Sequence, residues 1–136
     1  MSERATTLMQ RRAEAAWKAV KEVKGKPLDY QRKCAALARR VPALIRASGL
    51  GQTLAFLNMK IKPQGGDEHE WLLRHLSRWV LSQLGFVGSD SRSDLLDWIV
   101  NKADQRGYRY ATQEALAYLQ WVKRFAESEL REEEKK

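Results

Sequence analysis

Apolar residues in this sequence recur at three- and four-residue intervals, in six successive stretches parted by glycine, proline or short polar runs. That interval is the repeat of one face of an α-helix, whereas a half-buried strand alternates every second residue. Tyr30, Cys34, Leu37, Ala38 and Val41 make the clearest stripe. Strand-like alternation is nearly absent, prolines number three, and Ala, Leu, Arg, Lys, Glu and Gln dominate the chain. Such a composition favours helix. At 136 residues the chain is one domain's worth and can bury a core without staples. The expected fold is therefore all-α, a single compact bundle of about six helices over residues 1–136, with a frayed polar tail at 131–136.

Punctuation sets the expected boundaries. The first helix runs from about Glu3 to Lys24, with Leu8, Met9, Ala13, Ala16, Val20 and Val23 on one side. Asp29 caps the second, which Pro42 breaks or kinks before a short continuation from Ala43 to Ala47. The third runs from about Gly51 to Lys60, and the loop at 62–70 leads through an Asp67 cap into a fourth ending near Leu84. The fifth buries Leu95, Leu96, Ile99 and Ala103 and stops before Gly107; the sixth runs from about Tyr110 to Leu130.

Gly49 and Gly51 stand between two helical stretches and pose a choice between a phosphate cradle and a packed corner. A Walker-type loop needs a preceding strand and a terminal Lys-Ser/Thr, yet here a helix precedes and Gln52-Thr53 follows. Leu50, Leu54, Leu57 and Ile61 mark one face of the next helix, and Phe56 and Met59 add apolar surface on its far side, the pattern of a buried helix. The pair reads as a core corner, Gly49 in a left-handed cap and Gly51 allowing close approach of backbones.

No constellation for chemistry emerges. His69 and His75 are six residues apart, which is not the helical spacing of a zinc pair, and the single Cys34 rules out a multi-cysteine site. His75, near the apolar stripe, reads as a packing histidine. Asp90, Asp94 and Asp97 suit the start of the fifth helix, where carboxylates complement the dipole. Cys34 has no base near it in sequence. We expect no catalytic residue, metal, cofactor or small-molecule substrate. Without a signal-like or long uncharged stretch the chain is expected to be cytoplasmic and to have no membrane partner.

Charge is the informative signal. The net charge is +8, but residues 1–60 hold 13 Lys/Arg against 4 Asp/Glu, while residues 61–136 hold 12 against 13. Turning 100° per residue places Arg32, Arg39 and Arg46 almost opposite the second helix's apolar stripe, with Lys33 and Arg40 to one side. Arg4, Arg11 and Lys18 repeat the arrangement on the first helix. Rungs seven residues apart lie roughly 10 Å apart along a helix. Such rows contact phosphates without reading bases, so Arg11, Lys18, Arg32, Lys33, Arg39, Arg40 and Arg46 are the candidate nucleic-acid contacts. Trp71, Trp98 and Trp121 fall off their helices' main stripes. They are candidates for a protein interface, where tryptophan is enriched, or for a second buried side.

The runs "ARRVPALIRASGLGQTLAFLNMK" and "YRYATQEALAYLQWVKRFAESE" resemble the small helical subunit of the type III-B CRISPR RAMP-module effector complex, the likeness extending from about Trp17 to Leu130. The resemblance implies an all-helical, non-catalytic subunit present in several copies. Those copies would stack head to tail beside the RAMP backbone subunits that hold the guide RNA and cut the target. The small subunits would line the groove in which the guide–target RNA duplex lies. A helical DNA-binding regulator is the alternative, but the helix after the glycine corner is too apolar to present side chains to base edges.

Overall fold

Three helices, α1, α4 and α6, start where a side chain satisfies backbone donors that the helix itself leaves open, whereas α2 begins after Pro27 with no side-chain cap from Asp29 or any other residue. The computed structural model describes residues 4–86 and 91–130, and among them lie six helices and no strand: α1 (Leu8–Lys24), α2 (Leu28–Ser48), α3 (Leu50–Lys60), α4 (Glu68–Gln83), α5 (Asp94–Asn101) and α6 (Gln105–Glu129). The all-α reading holds. Thr7 accepts from the Gln10 amide while the Gln10 side chain accepts from the Thr7 amide, a reciprocal capping box. That box starts α1 at Leu8, later than the expected Glu3, which lies outside the described residues, as do Asp90 and the 131–136 tail. Asp67 caps α4 as expected, accepting from the Glu70 amide at 3.0 Å.

Three expectations are corrected. Pro42 does not break α2, which continues over 21 residues. Proline removes only its own amide donor, and Val41, Pro42 and Ile45 are all buried, so packing holds the turn together. Gly107 stands beyond α5, as expected, but it lies in the first turn of α6, which begins at Gln105 and not near Tyr110. Asp104 caps that helix by accepting from the Gly107 amide at 2.7 Å, and the Trp98 ring packs where a Gly107 Cβ would point. α3 is apolar on two faces but buried on one: Leu50, Leu54 and Leu57 are covered while Met59 is 69% exposed.

Buried residues from every helix join one core. The longest helix, α6, packs along both α1 and α2. It runs parallel to α1, because Arg12 near the start of α1 pairs with Glu114 midway along α6, and Lys24 at the end of α1 pairs with Glu129 at the end of α6. It runs antiparallel to α2, because the corner at Gly49–Gly51 meets Tyr108 near the start of α6. α4 packs against α2, α3 and α6.

At that corner Gly49 has φ 89° and ψ 159°. This region is essentially closed to any residue with a Cβ, although its ψ is not that of the left-handed cap expected. The Gly51 amide donates to the Tyr108 hydroxyl at 3.1 Å, so a side chain takes the place a phosphate would have in a cradle. A Cβ on Gly49 would lie 3.2 Å from that hydroxyl; one on Gly51 would meet Ile99 at an ordinary 3.5 Å. The two glycines should separate on substitution. Gly49→Ala is expected to lose about 1–3 kcal/mol, and Gly51→Ala to stay within about 1 kcal/mol of the parent because helix propensity offsets what crowding costs. Urea unfolding of both variants checks this, and equal losses would contradict it.

Candidate nucleic-acid interface

Exposure on α2 follows the helical phase closely. Cys34, Leu37, Ala38, Val41 and Ile45 are buried, and Lys33, Arg39, Arg40 and Arg46 are exposed. Arg32 departs from the expected row: it is half-buried, at the edge of α2 rather than on its outer face. Lys33 lies 3.2 Å from Asp29, one turn earlier, and that carboxylate raises the pKa of the ammonium. On α1, Arg11 and Lys18 are exposed, and the Arg11 guanidinium donates to the Thr6 carbonyl at 2.8 Å. The adjacent Arg12 points the other way, into Glu114.

α1 and α2 each pack along α6. α6 adds exposed cations that the charge count by halves conceals: Arg106, Arg109 and Arg124. Two of its acids pair with α1, the buried Glu114 with Arg12 and Glu129, at the surface, with Lys24. Helical phase applied to the last helix finds these arginines; a net charge over residues 61–136 cannot.

The tryptophans divide. Trp71 is 1% exposed, and its indole donates to the Ala19 carbonyl at 2.9 Å. It is a core residue, the second of the two readings that its off-stripe position leaves open: α1 covers the flank of α4 that periodicity alone leaves bare. Trp98 is half-buried over Gly107, and Trp121 is half-buried with its ring 5.5 Å from that of Phe125.

Elsewhere, polar side chains are spent on holding helices together. Glu22 on α1 accepts from Arg74 and stands 2.9 Å from His75 Nε2, both on α4. Burial pushes the Cys34 thiol up to about 12, which keeps it protonated and poorly nucleophilic. Among the described residues, ligand atoms of Asp67, Glu68 and His69 lie within 4.8 Å of one another. The Asp67 carboxylate there already accepts from the Glu70 and Lys62 amides. An open groove of about 550 Å³ lies between α3, α5 and α6, lined by Ala55, Leu96, Ile99 and Val100. No helix among the described residues is long and apolar enough to cross a membrane.

Residues 8–129 match the family described as CRISPR-associated protein (Cas_Cmr5). The fold is similar to the crystal structure of a CRISPR-associated Cmr5 family protein from Thermus thermophilus, with a TM-score of 0.72 and 27% sequence identity over 92% of this chain and 99% of that one.

The Glu22–His75 contact carries a pH signature. Burial holds His75 below the ordinary histidine range, with Arg74 and Arg78 adding to the effect and Glu22 opposing it. The unfolded chain therefore takes up this proton first, so the associated stability is whole above a pH of about 6.5 and falls as pH drops toward the depressed folded value. Burial would raise the Glu22 pKa, but Arg74 and His75 together hold it below the usual carboxylate range. Its contribution is present above that range and lost only in stronger acid. Urea unfolding from pH 8 to 5 should show stability declining below about 6.5. His75→Gln, which keeps a donor but cannot titrate, should flatten that decline. An unchanged slope would place the proton uptake elsewhere.

Proposed function

The chain belongs to the CRISPR-associated Cmr5 family, a small subunit of type III-B effector complexes, and from that premise we propose that it lines the guide–target RNA groove of such a complex with a basic surface. In this reading it is a non-catalytic cytoplasmic subunit of one helical domain. Several copies stack beside the RAMP backbone subunits. It needs no cofactor, metal or small-molecule substrate, and cleavage belongs to its partners. Trp98 and Trp121, half-buried in the single chain, are the tryptophans to test for contact with those partners or with further copies.

The observation that carries the RNA reading is the outward face of α2. Arg39, Arg40 and Arg46 are exposed on a helix whose opposite face is entirely core. Phosphates need only positive charge at spaced positions, and the guide strand supplies sequence reading by pairing. Lys33, Arg11 and Lys18 extend the same kind of surface. Arg32, half-buried at the edge, is the weakest of the proposed contacts.

Complexes reconstituted with Arg39→Glu/Arg46→Glu subunit test this. The fold should be nearly unaffected, since exposed substitutions usually stay within about 0.5 kcal/mol. Target-RNA affinity should fall similarly for unrelated sequences matched to their guides. The slope of log affinity against log salt should flatten by roughly 0.7–0.9 for each phosphate that is no longer neutralised. An unchanged slope with the subunit fully incorporated would remove this face from the RNA path.

A further inference from the structure

Three aromatic rings form a row across the seam between α1 and α6. Trp17 of α1 meets Phe125 of α6 edge-on, with centroids 5.1 Å apart and planes at 84°. Trp121, one turn before Phe125, lies 5.5 Å from it at 35°. Two of the three are half-buried, as a seam requires, but Trp17 is left 39% exposed. The Lys21 ammonium sits 5.1 Å over the Trp17 ring. Lys18 follows Trp17 in sequence and Arg124 lies one turn from Trp121, and both are exposed. Of the nearby acids, Glu129 is held by Lys24 at 2.7 Å, Glu114 is buried against Arg12, and Glu14, one turn before Trp17, is exposed.

Packing alone does not account for Trp17. An indole left two-fifths in water gives up part of the burial that makes tryptophan stabilising in a core. What the surface offers is a π-face bordered by ammonium and guanidinium groups. That pairing suits a ligand carrying a flat ring next to a negative charge, which is the chemistry of a nucleotide: the base stacks and the phosphate meets the cation. A lysine resting on the ring fits the same use, because its flexible stem can carry the ammonium from the indole to a phosphate.

We infer that Trp17, with Lys21 beside it and Trp121 and Phe125 behind it, is a stacking platform for an unpaired nucleotide of single-stranded RNA. The inference rests on the RNA-lining reading and adds a second kind of contact to it. The α2 arginines hold phosphates of any strand, paired or not; the Trp17 platform requires a base that is free to stack.

The test is binding of the purified chain to a labelled single-stranded polyuridine 15-mer and to an RNA duplex of the same length, with tryptophan fluorescence as a second readout. Wild-type protein should bind both, with quenching by the single strand alone. Trp17→Ala should lose roughly 5- to 150-fold in affinity for the single strand. It should change little for the duplex and keep the same salt slope, since no charge is removed. Trp17→Phe, which keeps a ring, should recover much of the loss and guards against a mere packing defect. Equal single-strand affinity in wild type and Trp17→Ala would overturn the platform and leave the α2 reading standing. No binding of either RNA by wild type would overturn both. Unchanged RNA binding combined with failure of Trp17→Ala to enter the reconstituted complex would overturn the platform and make the row a protein contact.

Discussion

Glu114 is the residue on which the arrangement of the bundle turns. It is 4% exposed, in the middle of the helix that touches most of the others. Its carboxylate receives the Arg12 guanidinium at both oxygens, and the Trp79 indole donates to it at 2.8 Å. α1, α4 and α6 thus converge on one charge, and Trp79 stacks on Tyr118 one turn further along α6. Burial of this carboxylate gains little net stability against an apolar replacement, but removing one partner of such a group costs several kcal/mol. The pair therefore acts on alignment. Apolar faces slide past one another at modest cost, whereas a bidentate contact at Glu114 fits one register of α1 on α6. Lys24 then meets Glu129 and Trp17 meets Phe125 a few turns along.

The same contact decides which arginines remain on the surface. Arg11 and Arg12 are neighbours in sequence and about 100° apart around the helix. Arg12 is drawn inward, where hydrogen bonding to Glu114 raises its pKa further, and Arg11 stays outside. Charge spent on structure is charge not available to a ligand. Counting basic residues by segment mixes the two uses. Arg12 and Lys24 belong to the fold, while Lys18, Arg40 and Arg46 face outward.

How far the sequence can be read follows from what a helical period measures. It gives the angle of each residue about its own axis, and on α2 that angle separates Arg39, Arg40 and Arg46 from Cys34 and Val41 correctly. It is silent about what lies over the flanks. The cover of α1 decides between the two readings open for Trp71, and Arg32 departs from its expected row to a half-buried edge. Met59, Leu8 and Met9 depart in the opposite sense, apolar residues that the helices among the described residues leave exposed. Breaker residues carry less weight than their intrinsic propensities suggest: Pro42 and Gly107 both lie inside helices, the first held by packing and the second by the Asp104 cap. The exposed arginines of α6 escape a segment count because that count sums them with acids placed elsewhere in residues 61–136 or paired to α1.

A row of like charges costs a helix some stability, and the spacing on α2 explains how the fold tolerates it. Arg39 and Arg46 are seven residues apart, roughly 10 Å along the axis, whereas the screening length in physiological salt is about 8 Å. Repulsion between rungs is thus largely screened, and the opposite face, with Cys34, Leu37, Ala38, Val41 and Ile45 all in the core, leaves the helix no room to turn away from its own charge. Nucleic-acid counterions are condensed at much higher local density than the bulk, and each phosphate neutralised by a rung releases its own share. The rungs repel one another weakly but, in the proposed reading, would act separately on a polyanion. A surface of this kind has little preference among sequences and a strong preference for charge density. That is the property a groove must have if base pairing within it, and not the protein, is to decide what is bound.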